Sequence, residues 1–375
     1  MNSIATPSFP LARSGVGRIG DHMKVTEAAW PPPLVALNSN ENAFGPSPYA
    51  VEAAQSAATR LERYVENQHH ILAPVIASHH GLDAERIAVG CGSDDLLVRL
   101  TRCYLEPGRE LLRAANSYPK VPNYAHACDA IPVDAPSSGY AAEVDSMLRL
   151  VSKRTRIVYI ASPDNPSSVL MPASEIRRLH RGLPSQVLLI VDGAYLEYTD
   201  RCQEAGLFEL VAANQNVVLT RTFSKIHGLA AARVGWMYGP RRIVGDLTRL
   251  QMKFPMAVPS LHAAIAALDD KRHTAFVRSE TLRLRQLWTN RLSRLGIGVQ
   301  PSQSNFLLMD FRETGRDATS VLEELQGRGI YVRQFLLPAL RTCLRLTLGR
   351  ERQLERFGSA LADILENPGG RQPSL

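Results

Sequence analysis

The stretch SQVLLIVDGAY, residues 185–195, sets an unbroken apolar run, Val187 to Val191, against a polar ending at Asp192 and Tyr195. A continuous run of this length suits a strand buried on both faces, as in a parallel sheet covered by helices. The same form recurs on either side, in TRIVYIASP (155–163) and NVVLTRTFS (216–224), with a helical pattern in SEIRRLHRGL (174–183) between. RELLRAA (109–115) and DAIPVDA (129–135) are further strand candidates. ERIAVGCGSDDLLVRLTRCYL (85–105) reads as a strand, a glycine turn and a helix beginning near Ser93, with Ser93 as its cap and Asp94 in its first turn. YAVEAAQSAATRLERYV (49–65) has helix formers at helical spacing. The order strand, polar loop, helix predicts an α/β fold with a mostly parallel central sheet flanked by helices.

Beyond residue 260 the rhythm changes. A long helical run over about 260–295 is followed by SNFLLMDF (304–311), ATSVLEELQGRG (318–329), GIYVRQF (329–335), CLRLTLG (343–349) and a helix from about 351, which together predict a smaller α+β domain. The expected division is an N-terminal arm with part of the small domain over 1–48, a large domain over 49–285 and a small C-terminal domain over 286–375. PSFP, SGVGRIG and Pro31–Pro33 mark residues 1 to about 35 as an arm that packs late or against another subunit.

Composition narrows the function. A chain of 375 residues, 45% hydrophobic and 21% charged, can bury a large core. Its net charge of +7 comes from scattered basic residues, with adjacent pairs such as Arg241–Arg242 and Lys271–Arg272 being few. That favours anionic small molecules over a nucleic-acid groove, which needs clustered charge and often exposed aromatics. Five cysteines without short paired spacing argue against a disulfide framework or zinc ribbon and fit a reducing cytoplasm. No ligand cluster such as HExxH is present, and the pairs His69–His70 and His79–His80 are expected to face solvent. No leader-like start and no membrane-length apolar run is visible, so a soluble, unexported protein is expected.

Ligands of open α/β sheets sit beyond the carboxyl ends of the strands, where SPDNP, VDGAY and TFSK all fall. Lys225 follows Thr222 and Ser224, with Arg233 eight residues on. An amine attacks an aldehyde only when deprotonated, and the hydroxyls and arginine could hold a phosphate. Asp192 could hold a ring nitrogen protonated, while Tyr195 and Asn165 could donate to a ring oxygen, the means by which a protein tunes an organic cofactor. Gly90, Gly92, Ser93 and Asp94 form a turn whose free N–H groups could cradle an anion, though this is not the full dinucleotide fingerprint.

These motifs, with NSNENAFGPSP (38–48), RY (63–64), GCGSDD (90–95), SPDNPSS (162–168), VDGAYLEY (191–198), RTFSKIHGLAAARVGW (221–236), PSQSNFLLMD (301–310), YVRQF (331–335) and LRLTLG (344–349), resemble the fold-type I pyridoxal-phosphate aminotransferases. Within them the likeness is to the histidinol-phosphate branch. It implies an aspartate-aminotransferase-like fold whose large domain binds pyridoxal 5'-phosphate. Lys225 would carry the cofactor aldehyde and move the substrate Cα proton; Asp192 would pair with the pyridine nitrogen; Asn165 and Tyr195 would contact the phenolic oxygen; and Tyr118 would cover one ring face. The phosphate would rest on Ser93, Asp94, Thr222, Ser224 and Arg233, with Tyr64 reaching in from the partner of a homodimer. Arg345 would clamp the substrate carboxylate, Arg333 would meet a remote phosphate, and Asn40 would border the substrate.

The resemblance implies transamination of histidinol phosphate with 2-oxoglutarate, giving imidazole acetol phosphate and glutamate. An aromatic amino acid aminotransferase, an amino-acid phosphate decarboxylase of the cobalamin-pathway type and a non-enzymatic regulator on the same fold are the competing readings. Ala43, Cys91, His227 and the sequence SPDNPSS depart from the family pattern without removing a cofactor contact.

Overall fold

The structure, a computed structural model, describes residues 12–20, 34–65 and 68–367. Seven strands build its central sheet: β1 Ile87–Gly90, β2 Glu110–Ala114, β3 Ile131–Ala135, β4 Thr155–Ala161, β5 Leu188–Asp192, β6 Val217–Thr222 and β7 Gly235–Tyr238. Their spatial order is β1-β7-β6-β5-β4-β2-β3. Every pairing from β6 to β3 is parallel, and β7 runs antiparallel to both β1 and β6. The mostly parallel α/β sheet expected from sequence is present, with β7 as the reversed strand that the apolar runs did not reveal.

Strand alternation divides the core and aims the site. In β5, Leu189 and Val191 join one apolar cluster while Leu188 and Ile190 join the cluster on the opposite face. In β4, Val158 and Ile160 go to the first and Ile157 and Tyr159 to the second. Asp192 therefore ends β5 on the same face as Tyr159 and Ala161 of β4, with Ala161 directly beside it in register. Thr220 lies beside Asp192 in β6, and Thr222 follows on that face at the strand end. Arg221, pointing the other way, is fully buried and paired with Glu197 and Glu204 at 2.8 and 2.7 Å.

At the start of β7 the chain presses against the turn before the helix Gly92–Tyr104. A Cβ on Gly235 would lie 2.3 Å from the Ser93 nitrogen and 2.4 Å from the Gly92 carbonyl carbon. Ser93 is not the cap of that helix. Cys91 occupies the cap position, and Asp95 from the first turn reaches back to accept the Cys91 N–H at 3.0 Å. Ser93 is left inside the first turn with its backbone beside the strand ends.

A second, smaller body is built on three antiparallel strands, β8 Gly298–Val299, β9 Phe306–Asp310 and β10 Cys343–Thr347. Helices Lys271–Arg294, Ala318–Gly327 and Glu351–Glu366 pack on it around Trp288, Phe311 and Phe357. Val35–Ala36 pairs in parallel with Ile330–Tyr331, so the segment before the first long helix belongs to this body. The helix Lys271–Arg294 runs unbroken through residue 285. The helical run read over 260–295 is two helices, divided at Asp270, whose side chain caps the second by accepting from His273 N–H.

Other sequence readings are corrected. The helix expected over 49–65 ends at Ala57 and passes into the short turn Ala58–Arg60. Leu61 and Tyr64 beyond it are 67% and 78% exposed, so no core contact prolongs the helix. His80 does not face solvent: its ring lies 5.0 Å from that of Trp236 and 5.5 Å from that of Phe208. Burial, helped by the Arg221 charge, lowers its pKa to about 2. In the arm, Gly15 N–H donates to Asp129 at 2.8 Å and Arg13 pairs with the same carboxylate at 2.9 Å. PSFP and Pro31–Pro33 lie outside the described residues. Among the described residues no helix is long and apolar enough to cross a membrane.

Replacing Gly235 by Ala should cost roughly 1–3 kcal/mol, because backbone rather than a pliable side chain meets the new methyl. Denaturant unfolding of the variant measures it; an unchanged midpoint would show that the turn can retreat.

Candidate active site

One cavity of about 300 Å³ opens beyond the carboxyl ends of β4, β5 and β6. Ser93, Asp94, Tyr118, Asn165, Asp192, Tyr195, Thr222, Ser224, Lys225 and Arg233 all line it. The parity of the strands brings Asp192 and Thr222 to this mouth, and the loops that follow carry Asn165, Tyr195 and Lys225 around it.

Asp192 lies at the cavity wall, 6% exposed. Its Oδ2 accepts the Tyr159 hydroxyl at 2.8 Å and its Oδ1 accepts the Ala194 N–H at 3.1 Å. Burial raises its pKa to about 6; Tyr159 opposes that rise and the nearby Asp94 charge adds to it. Tyr159 was not singled out from sequence, although its same-face position beside the end of β5 follows once the strands are aligned. Asp94 is itself engaged by two phenols, Tyr124 at 2.8 Å and Tyr118 at 3.3 Å. Burial and Asp94 together raise the Tyr118 pKa well above the usual phenol range.

At the other end Thr222, Ser224 and Arg233 form a compact donor group. Thr222 Oγ1 donates to Ser224 Oγ at 3.0 Å, and Arg233 Nη1 donates to the same oxygen at 3.3 Å. Gly92 has φ +81°, and a Cβ there would stand 2.5 Å from Arg233 Nη2. Glycine thus lets the guanidinium close over the start of the Gly92–Tyr104 helix, where backbone N–H groups and the helix dipole favour an anion.

The small body supplies the remaining wall. Lys225 Nζ donates to the carbonyls of Asn40 at 3.3 Å and Ser39 at 3.5 Å, and lies 5.6 Å from the Tyr195 ring centre. Arg345 donates to Asn165 Oδ1 at 2.6 Å and to the Asn38 carbonyl at 2.8 Å. Its guanidinium sits 5.2 Å from the ring centres of both Phe306 and Phe335. Burial, with the Arg333 charge, lowers its pKa to about 10. Arg333 Nε donates to the same Asn38 carbonyl at 3.1 Å, and the two arginines exchange backbone hydrogen bonds. Among the described residues no carboxylate forms an ion pair with Arg345. A buried cation without a counter-ion is a docking point for an anionic group.

Two expected residues are placed differently from the rest. The Asn40 side chain, 1% exposed, is turned to Tyr195 and Thr347. Tyr64 is outside the cavity of its own chain, 78% exposed and stacked on Phe254 at 4.3 Å. Asp164, where SPDNPSS departs from the family pattern, is held beneath Asn165 by the hydroxyls of Ser117 at 2.5 Å and Ser167 at 3.0 Å. Burial raises its pKa to about 6 as well.

Residues 32–361 match the family model for aminotransferase class I and II. The chain is 41% identical over 333 residues to the histidinol-phosphate aminotransferase of Rhodospirillum centenum, covering 89% of this chain and 92% of that one. It is 39% identical over 330 residues to the Nitrobacter winogradskyi protein of the same name, covering 88% and 90%. Among solved structures it resembles the Sinorhizobium meliloti histidinol-phosphate aminotransferase in complex with pyridoxal-5'-phosphate. That match has a TM-score of 0.85 and 27% identity, covering 89% of this chain and 91% of that one. The Thermus thermophilus aspartate aminotransferase with maleate shares the fold at a TM-score of 0.75 and 20% identity, covering 88% and 92%.

The Asp192 environment fixes a pH dependence. Its folded pKa of about 6 exceeds the ordinary aspartate value of 3.8, so the folded chain holds the proton more tightly than the unfolded chain. Ionisation therefore removes stability as pH rises from about 4 to about 6, and the loss, up to about 3 kcal/mol, persists above that. In cofactor-free protein, Asp192→Asn should match the parent near pH ~4 and exceed it at neutral pH. Urea midpoints at the two pH values test this; a difference that does not grow with pH refutes it.

Proposed function

The chain belongs to the class I and II aminotransferases, and from that premise we propose that it transfers the amino group of histidinol phosphate to 2-oxoglutarate with pyridoxal phosphate, yielding imidazole acetol phosphate and glutamate. The observation that carries this reading is the convergence, on one cavity, of the Lys225 amine, the buried Asp192 carboxyl and the Thr222–Ser224–Arg233 donor group. These residues fit the cofactor's three chemical ends, an aldehyde, a ring nitrogen and a phosphate. When bound, pyridoxal phosphate supplies a carbonyl that holds the substrate nitrogen and a ring that withdraws electrons from the substrate carbon.

In this reading Lys225 would hold the cofactor's aldehyde, and its free amine would take a proton from the substrate Cα. Asp192 keeps the ring nitrogen protonated: a carboxyl that burial disfavours as an anion gains most from a cationic partner. Asn165 and Tyr195 would donate to the ring oxygen, and Tyr118 would pack against the ring. Thr222, Ser224, Arg233 and the N–H groups at Ser93 and Asp94 bind the phosphate. Arg345 takes the carboxylate of the keto acid, and Arg333 beside it takes the distal phosphate of histidinol phosphate. Both half-reactions thereby use one cationic wall for unlike anions.

We further propose a homodimer in which Tyr64 donates to the neighbouring subunit's cofactor phosphate. Exposed Leu61, Tyr64 and Met252 support this, because such apolar surface in one region favours burial against a partner. The domain reading, with a large cofactor-binding body and a small body closing over it, is part of the same proposal. A cytoplasmic enzyme accords with five cysteines that are all free thiols.

Mixing the pyridoxal form with single amine donors should bleach its visible absorption fastest with histidinol phosphate. Faster bleaching by phenylalanine or tyrosine would make it an aromatic aminotransferase, and carbon dioxide release without keto-acid consumption would make it a decarboxylase. Asp192→Ala should lower turnover at least about a hundredfold while leaving some cofactor bound, since it removes a charge partner felt chiefly in the transition state. Turnover at the parent rate would overturn the Asp192 role. Tyr64→Phe should weaken cofactor binding roughly tenfold or more, the worth of one hydrogen bond to a charged group. A monomer in sedimentation that keeps full cofactor affinity would refute the shared site.

A further inference from the structure

Asn40 has an unusual combination of burial, backbone geometry and bonding. It is 1% exposed and has φ +54°, a left-handed conformation that Asn tolerates better than most residues. Its backbone is held on several sides: the N–H donates to Thr347 Oγ1 at 2.9 Å, and the carbonyl accepts from Lys225 Nζ at 3.3 Å and Asn305 Nδ2 at 3.1 Å. So much fixation of one residue leaves its side chain little freedom.

The direction of each hydrogen bond follows from counting protons. Thr347 Oγ1 already accepts the Asn40 N–H, so its single proton is available for Asn40 Oδ1, 3.1 Å away. With Oδ1 accepting, the amide orientation is set, and Nδ2 is the atom 2.9 Å from the Tyr195 oxygen. Nδ2 can only donate. It fills one in-plane acceptor position of the phenol oxygen, and the Tyr195 proton must take the other. Tyr195 lines the cavity.

We propose that Asn40 is a positioning residue for Tyr195: anchored by Thr347, its amide turns the Tyr195 hydroxyl proton into the cavity, where it donates to the phenolic oxygen of the bound cofactor. The inference rests on the proposed function. It also replaces the substrate contact expected of Asn40, since both polar ends of that side chain are engaged within the protein. Thr347 shares a face of β10 with Arg345, whereas Leu344 and Leu346, which alternate with them, enter the core of the small body. The strand that binds the substrate anion thus also sets the hydrogen bond on the cofactor oxygen.

The test is a pH titration of the visible band of the cofactor-loaded protein, together with cofactor affinity measured by equilibrium dialysis. Asn40→Gly suits the left-handed backbone and removes only the side chain. A hydrogen bond donated to the ring oxygen weakens its hold on the neighbouring proton, so freeing the Tyr195 hydroxyl should raise the titration midpoint by about half a pH unit or more. Thr347→Val, which leaves Asn40 in place but releases its amide, should shift it in the same direction by less. In a Tyr195→Phe background Asn40→Gly should produce no further shift. A midpoint unmoved in both Asn40→Gly and Thr347→Val, or an equal shift in the Tyr195→Phe background, overturns the proposal even if thermal stability falls. A visible band that survives Lys225→Ala would instead overturn the cofactor assignment on which it stands.

Discussion

A carboxyl group kept out of water at the end of β5 is the constraint around which the site is organised. Asp192 has lost most of its solvation, and the Tyr159 hydroxyl and Ala194 N–H replace only part of it. Such a group is poised to gain from a cationic neighbour, and the cavity before it is where one can enter. The sheet makes this placement possible. Burial on both faces favours apolar residues along β5, whose one charge stands at its terminus, where the loop begins.

Around that carboxyl, the two bodies divide the work. The large body provides the amine, the acid and the donor group proposed for the phosphate, all at the edge of the sheet where the parallel strands end. The small body contributes Arg345 and Arg333 and meets the large one through the strap Asn38–Glu41. This strap works largely through its backbone: Asn38 offers one carbonyl to two guanidinium groups, and Asn40 offers another to Lys225 and Asn305. Closing such a strap over a ligand excludes water and strengthens every charge interaction beneath it. Arg345 further touches Asn165, linking the wall proposed to bind anions to the residue proposed for the ring oxygen.

Substrate choice is framed by the same charges. A fully buried arginine whose pKa has fallen to about 10, flanked by a second arginine and two phenyl rings, is costly without an anion. That cost favours doubly anionic or carboxylate-bearing molecules over neutral amines. Asp164, half-buried in place of the more usual amide, adds a titratable group next to Asn165 that the family pattern would not have.

Much of this was legible in the chain. The apolar runs around 155–163, 185–195 and 216–224 specified buried strands, and polar residues at their ends marked Asp192, Asn165, Tyr195 and Lys225. What escaped depended on who stands beside whom. β7 is only Gly235–Tyr238 and is recognisable as a strand only through its pairing with β1 and β6. Ser93 had the composition of a cap, but the helix starts earlier, at Gly92, so Cys91 stands at the cap position and Asp95 reaches back to its N–H. Tyr159 read as one more apolar strand residue until register put its hydroxyl on Asp192. Asn40 was expected to border the substrate, and tertiary packing places its side chain between Thr347 and Tyr195. Sequence determines chemistry wherever residue type and strand period suffice, because burial and alternation act locally along the chain. The direction of a shared proton, or the worth of a backbone carbonyl, belongs to the tertiary structure, because it exists only once segments hundreds of positions apart come within hydrogen-bonding distance.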